Sequence, residues 1–282
     1  MTPNVLNKKL TIIAGPCSVD FDNINDIFKI AEIKVNNRFG RKQRAIFGTR
    51  VIGLKSRTSL NKDGKNMGID FPVFRKNIDL LVQGKSINAL KILPSVRIAK
   101  NIIKETGLLV AAEIMDPMSQ LPIFERMLPK NKVLIWNPAV SQLGWPILNM
   151  AIYAKKNNWM IGLKNPKWFG DENLGQTTME KTWIGLSHYT GMNEPGLEEK
   201  LILIHRGVDI YNKGDYRNLP VHQAAKRTKI ATKAKLFFDP SHIHGPKLRD
   251  SIVQATVEAM QMKIDEDNFL YDGILIEVGR SK

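Results

Sequence analysis

The sequence has almost no cysteine. Cys17 is the only one, so no disulfide can form within the chain and the fold must rest on its core. A reducing, cytoplasmic setting is the expectation. Long apolar runs are missing too. None approaches the ~20 residues of a membrane span, and the start Met1-Thr2-Pro3-Asn4 has no apolar signal core, so no membrane partner is expected. Acidic residues are in short supply, 27 against 42 lysines and arginines, which leaves a formal net charge of +15. That imbalance favours anionic partners. No zinc-finger spacing, RNP-like motif or long basic run accompanies it, and the lysines are scattered. Nucleic acid is therefore not the expected partner, whereas phosphorylated metabolites fit.

What is present is an alternation. Apolar residues make up 43% of 282, enough for one (β/α)8 barrel, typically of ~250 residues. Short apolar strands are predicted at Leu10 to Ala14, Leu108 to Ile114, Val133 to Ile135, Met160 to Leu163, Leu201 to Ile204, Lys235 to Phe238 and Gly273 to Ile276. An additional strand region combines Ala45-Ile46-Phe47 with Val51 to Leu54 across a polar bend. Helical spacing separates them, as in Asp26 to Val35, Phe74 to Leu81, Ser95 to Glu105, Pro146 to Lys156 and Ser251 to Met262. Eight strands alternating with helices predict a TIM barrel, with residues 1–282 as one domain. The sequence after Glu277 is too short for a complete eighth helix.

One stretch organises the rest. The apolar run Leu236-Phe237-Phe238 stops at Asp239-Pro240-Ser241-His242. Proline cannot donate to a ladder, so the strand ends there. Its end is the edge where parallel α/β folds bind ligands. The other predicted strands end in Cys17, Lys55 and Arg57, Glu113, Lys164, Arg206 and Glu277. Thiolate, imidazole and carboxylate suit a divalent transition metal. Lysines and arginines at the same mouth suit phosphate or carboxylate groups. Each residue alone has an ordinary explanation, as a small buried thiol or a solvated cation.

Several segments resemble, in order, the signatures of 3-deoxy-D-arabino-heptulosonate 7-phosphate (DAHP) synthases. They are Ile13-Ala14-Gly15-Pro16-Cys17-Ser18, Lys55-Ser56-Arg57-Thr58-Ser59, Glu113-Ile114-Met115-Asp116, Lys164-Asn165-Pro166, His205-Arg206-Gly207, Tyr216-Arg217-Asn218, Asp239-Pro240-Ser241-His242 and Ile276-Glu277. The likeness is nearest the branch often fused to chorismate mutase, although no mutase domain is present. The resemblance implies a metal-dependent transferase that condenses phosphoenolpyruvate with erythrose 4-phosphate and releases phosphate, the first step of the shikimate pathway to aromatic amino acids. It implies a divalent ion (Mn, Fe, Zn or Co) on Cys17, His242 and Glu277. Lys164, Cys17 and His242 become the expected catalytic residues. Arg57, Lys164 and Arg206 are expected at phosphoenolpyruvate, Lys55, Thr58 and Ser59 at the sugar phosphate, and Glu113 and Asp239 beside them. Partners implied are the two phosphorylated substrates and further copies of the chain.

The sequence also departs from the family. Trp136-Asn137-Pro138-Ala139 stands where a Gly-Ala-Arg segment is usual, Ser56 stands where proline is usual, and the family's fourth ligand, a later aspartate, has no counterpart. Two alternatives follow: a KDO8P synthase-like condensation with arabinose 5-phosphate, and a degenerate barrel that binds phosphometabolites without catalysis. Arg57 favours the DAHP synthase resemblance, because KDO8P synthases usually carry Lys-Ala-Asn at Lys55-Ser56-Arg57.

Overall fold

The computed structural model describes residues 10–37, 39–55, 67–173, 175–192 and 194–279. Eight strands form a closed barrel. They are β1 Thr11–Gly15, β2 Gly48–Arg50, β3 Leu109–Glu113, β4 Val133–Trp136, β5 Met160–Lys164, β6 Leu201–His205, β7 Lys235–Phe238 and β8 Gly273–Glu277. Neighbours in sequence are neighbours in the barrel, and all the pairs are parallel. The ring closes where β1 pairs β8, with Ile13 opposite Leu275 and Gly15 opposite Glu277.

Period-two alternation explains why the strands read as unbroken apolar runs. One set of side chains, including Ile13, Leu134, Ile204, Phe237 and Leu275, fills the barrel interior. The alternate set, including Val133, Ile135, Leu203 and Leu236, packs outward with residues of the helices such as Ile102, Phe124, Met150 and Trp183. Both faces are dry, as parallel sheets require.

The helices are α1 Ile24–Ala31, α2 Phe71–Val82, α3 Pro94–Thr106, α4 Pro117–Met127, α5 Gly144–Asn157, α6 Thr178–Tyr189, α7 His222–Thr232, α8 Pro240–His244 and α9 Ile252–Gln261. Local chemistry sets their ends. Proline opens α3, and Gly107, at φ 69°, closes it in the left-handed conformation that suits glycine. Thr177 and Glu180 form a capping box on α6. Arg227 of α7 reaches the same buried Glu180 at 2.6 and 2.9 Å and ties the two helices together.

The sequence expectations need two corrections. The second strand is Gly48–Arg50, inside the polar bend, and not the apolar runs beside it. Its residues are all buried, and Arg50 has a carboxylate partner, Glu277, within the barrel. Helix α1 stops at Ala31, and Val35 instead belongs to a short hairpin, Lys34–Asn36 against Lys42–Arg44. After β7 the chain forms a short helix, α8, capped by the Asp239 side chain.

Behind β6 lies a buried polar chain. His205 Nε2 accepts from the Val221 N–H at 3.0 Å, so its proton sits on Nδ1 and is donated to the Tyr271 hydroxyl, 2.7 Å away. The hydroxyl then donates to His222 Nδ1, also at 2.7 Å. Burial holds His205 well below the ordinary histidine range. Burial first, and His244 second, lower His222 to about 4. Both imidazoles are neutral in the fold and protonate more readily once unfolded. The unfolded state therefore binds more protons between about pH 4 and 6.5, and stability is lost as pH falls through that window. His222 alone should contribute about 1.4 kcal/mol per pH unit at most. Denaturation midpoints at several pH values should show a shallower acid slope for His222→Gln than for wild type. Equal slopes would contradict this.

Candidate active site

The C-terminal ends of the strands gather the expected residues at one mouth. Glu113 ends β3 and Lys164 ends β5, and the two form an ion pair with both side chains buried. Arg206 follows β6 and is also buried. Asp239, at the end of β7, accepts from the His242 N–H at 3.3 Å. Its Oδ2 lies 2.8 Å from His242 Nδ1. Glu277 ends β8, where its N–H donates to the Ser241 hydroxyl at 2.9 Å. Cys17 lies just past β1, exposed and close enough to the Glu277 carboxylate to feel its charge. Lys55 lies beyond β2, its N–H bonded to the Met67 carbonyl at 3.0 Å. Arg57, Thr58 and Ser59 lie outside the described residues.

Three residues to which the sequence assigned no role build this mouth. Arg50, the last residue of β2, is 4% exposed and lies 3.0 Å from Glu277 Oε1. The other two are asparagines. Asn137 Oδ1 accepts the Lys164 N–H at 3.0 Å, while its amide donates to the Ser141 carbonyl at 2.9 Å. Asn165 Oδ1 accepts the Arg206 N–H at 2.8 Å, and its amide donates to the Gly207 carbonyl at 2.9 Å. Each asparagine fixes the functional residue that ends or follows the next strand. The signal was available, since Asn-Pro follows both β4 and β5.

Electrostatics follow from burial and pairing. Burial raises the Glu113 carboxyl, but Lys164, Arg206 and His242 together hold the group below its usual range. Burial pulls Lys164 down, partly offset by Glu113 and reinforced by Arg206. Burial also opposes ionisation of Asp239, yet His242 and the arginines hold it far below the carboxylate range. Arg50 likewise keeps the Glu277 carboxyl low against desolvation.

Whether Cys17, His242 and Glu277 suit a divalent metal ion depends on that arginine. The donors are neighbours, with His242 Nε2 3.6 Å from Glu277 Oε1. The same oxygen already faces Arg50 Nη2, so an ion between imidazole and carboxylate would meet a fixed positive charge. Desolvation and the adjoining Glu277 raise the Cys17 thiol, which disfavours the thiolate that binds metals. Among the described residues no group of three or more His, Cys, Asp or Glu is placed to hold a metal ion. As arranged, the residues do not fit the expected ion, and Arg50 serves as the carboxylate's cation.

Beside the mouth runs a cleft of about 640 Å³, lined by Cys17, Glu277, Arg217, Arg249, Ser241 and the Asp20 to Asp26 segment among others. Among the described residues, no helix is long and apolar enough to cross a membrane.

No protein-family model matches the sequence, and no curated protein does either. Solved structures do match. One is the DAHP synthase (phospho-2-dehydro-3-deoxyheptonate aldolase) of Thermotoga maritima, with a TM-score of 0.64 and 18% identity over 96% of this chain and 60% of that one. A truncated form of the 3-deoxy-D-arabino-heptulosonate 7-phosphate synthase from Thermotoga maritima gives 0.61 and 18%, over 96% of this chain and 76% of that one. The chain thus spans about 60% of the length of the first. At this identity the likeness establishes the barrel fold.

Proposed function

We propose that the chain condenses phosphoenolpyruvate with a phosphorylated aldose, erythrose 4-phosphate in preference to arabinose 5-phosphate, and releases inorganic phosphate. The observation that carries this reading is a pair of donors. The Nε–H groups of Arg50 and Arg206 are buried and have no acceptor. Burying a charged donor unpaired is costly, and a small anion bearing carboxylate and phosphate would relieve it. Lys164 shares the cavity wall with Arg50 and completes the cationic set. The adjoining cleft has room for a second small substrate.

In this scheme, C3 of phosphoenolpyruvate attacks the aldehyde carbon. The carbonyl oxygen takes a proton from Lys164, whose ammonium is weakened by burial and held in place by Glu113 and Asn137. Water adds to C2 and returns a proton to the Lys164 amine, and the resulting hemiketal phosphate collapses to the ketone, its hydroxyl proton going to the phosphate that C–O cleavage expels.

Phosphate release should require phosphoenolpyruvate and a sugar phosphate together. It should be faster with erythrose 4-phosphate than with arabinose 5-phosphate, and should be measured with and without divalent metals. Release from neither mixture would favour a non-catalytic barrel. Arg206→Ala removes a charge-assisted contact of roughly 1.5–3 kcal/mol, so affinity for phosphoenolpyruvate should fall about tenfold or more. Calorimetric titration giving unchanged affinity would remove Arg206 from the site.

A further inference from the structure

Trp136 is the last residue of β4, and its side chain points into the barrel with Leu134. In the ladder it is paired with Glu113 of β3 and Gly162 of β5. A Cβ on Gly162 would lie 3.1 Å from Trp136 Cβ and 2.8 Å from Ile204 Cδ1, so that glycine makes room for the indole. Trp136 is 1% exposed, and the Lys164 ammonium sits 5.3 Å from its ring centroid.

Its nitrogen is the anomaly. Two other tryptophans are equally buried, and both are satisfied. Trp159 Nε1 donates to the Pro129 carbonyl at 3.1 Å, and Trp183 Nε1 to the Leu163 carbonyl at 2.9 Å. Trp136 Nε1 has no acceptor. Buried donors are almost always paired, and an indole N–H can only donate. What is missing must therefore be an acceptor. Trp136, Arg50, Lys164, Asp239 and His242 line one small cavity of about 10 Å³, room for a single oxygen atom or water, and Arg50 Nε shares the same deficit.

We propose that the Trp136 indole N–H is a binding group for one oxygen of the substrate anion, a neutral donor beside the cations Arg50 and Lys164. The inference rests on the phosphoenolpyruvate reading above and adds the residue that completes the donor set. Trp136 holds an oxygen of the substrate by a hydrogen bond and transfers no proton.

Trp136→Phe removes the N–H and keeps most of the ring. Phosphoenolpyruvate is titrated into wild type and variant by calorimetry, and the wild-type indole N–H resonances are followed by NMR, with that of Trp136 identified by its loss in the variant. The dissociation constant should rise about tenfold in Trp136→Phe, and the Trp136 resonance should move downfield as wild type is saturated. Equal affinity in the variant, or a stationary Trp136 resonance in a wild type that binds, overturns the inference and leaves the wider reading intact. A wild type that does not bind phosphoenolpyruvate overturns both. If the variant fails to fold, the wild-type Trp136 resonance, assigned instead from through-space contacts of its ring with Leu134 and Ile204, still decides.

Discussion

Lys164→Met should lower the melting temperature by about 10 °C and abolish phosphate release. The ammonium is buried against Glu113, and removing one partner of a buried pair leaves an uncompensated charge at a cost of about 3–5 kcal/mol. For a chain of this size each kcal/mol shifts the midpoint by roughly 2–4 °C. Arg206, which also acts on Glu113, should keep the loss towards the lower end. The informative partner is the double variant Lys164→Met with Glu113→Leu. It removes both charges, so stability should largely return, while activity should not. Recovery of activity alongside stability would show that Lys164 is structural only. A melting curve for the single variant that overlays wild type would show that the pair is not formed.

Gly53→Ala should destabilise the protein by at least about 3 kcal/mol, an overpacking effect at the severe end for a single methyl group. A Cβ there would sit 2.0 Å from Asp70 Oδ2 and 2.5 Å from Ser95 Cβ. Neither neighbour can yield easily. Asp70 is buried, accepts the Ser95 N–H at 2.8 Å and is also bonded to the Ser95 hydroxyl. Its own N–H donates to the Gly53 carbonyl at 3.0 Å. Desolvation raises the Asp70 carboxyl to about 6. The clasp joins the segment after β2 to the start of α3, so it also sets where Lys55 leaves the barrel. Adding Asp70→Ala should restore only part of the loss, because the Ser95 contact remains. A Gly53→Ala variant as stable as wild type in urea titration would mean that this region is looser than its packing indicates.

The strands were legible because dry parallel strands carry their signal in composition, as β6 Leu201–His205 and β7 Lys235–Phe238 do. Strand β2 was misplaced for the opposite reason. Gly48, Thr49 and Arg50 are all buried, yet nothing in their hydropathy says so. Their burial depends on Glu277, far away in sequence and brought near only by closure of the barrel. The same long-range pairing hid Arg50 from the candidate site, and with it the competition for the Glu277 carboxylate that bears on the metal ion. Lys164, Arg206, Asp239 and His242 could be found because each follows an apolar run that stops abruptly. The unsatisfied indole of Trp136 could not, since a tryptophan ending a strand reads as core until the acceptors around it are known. Helix α1 was over-extended because Ile33 and Val35 continue an apolar spacing that the hairpin at Lys34–Asn36 uses instead.

The central claim is formation of a carbon–carbon bond at this mouth, and phosphoenolpyruvate labelled with ¹³C at C3 tests it most directly. Incubated with the protein and erythrose 4-phosphate, the vinyl carbon signal should give way to a saturated methylene bonded to the aldose carbon, in step with phosphate release. Phosphate appearing without the new methylene signal, or a vinyl signal that persists with both substrates present, would contradict the account.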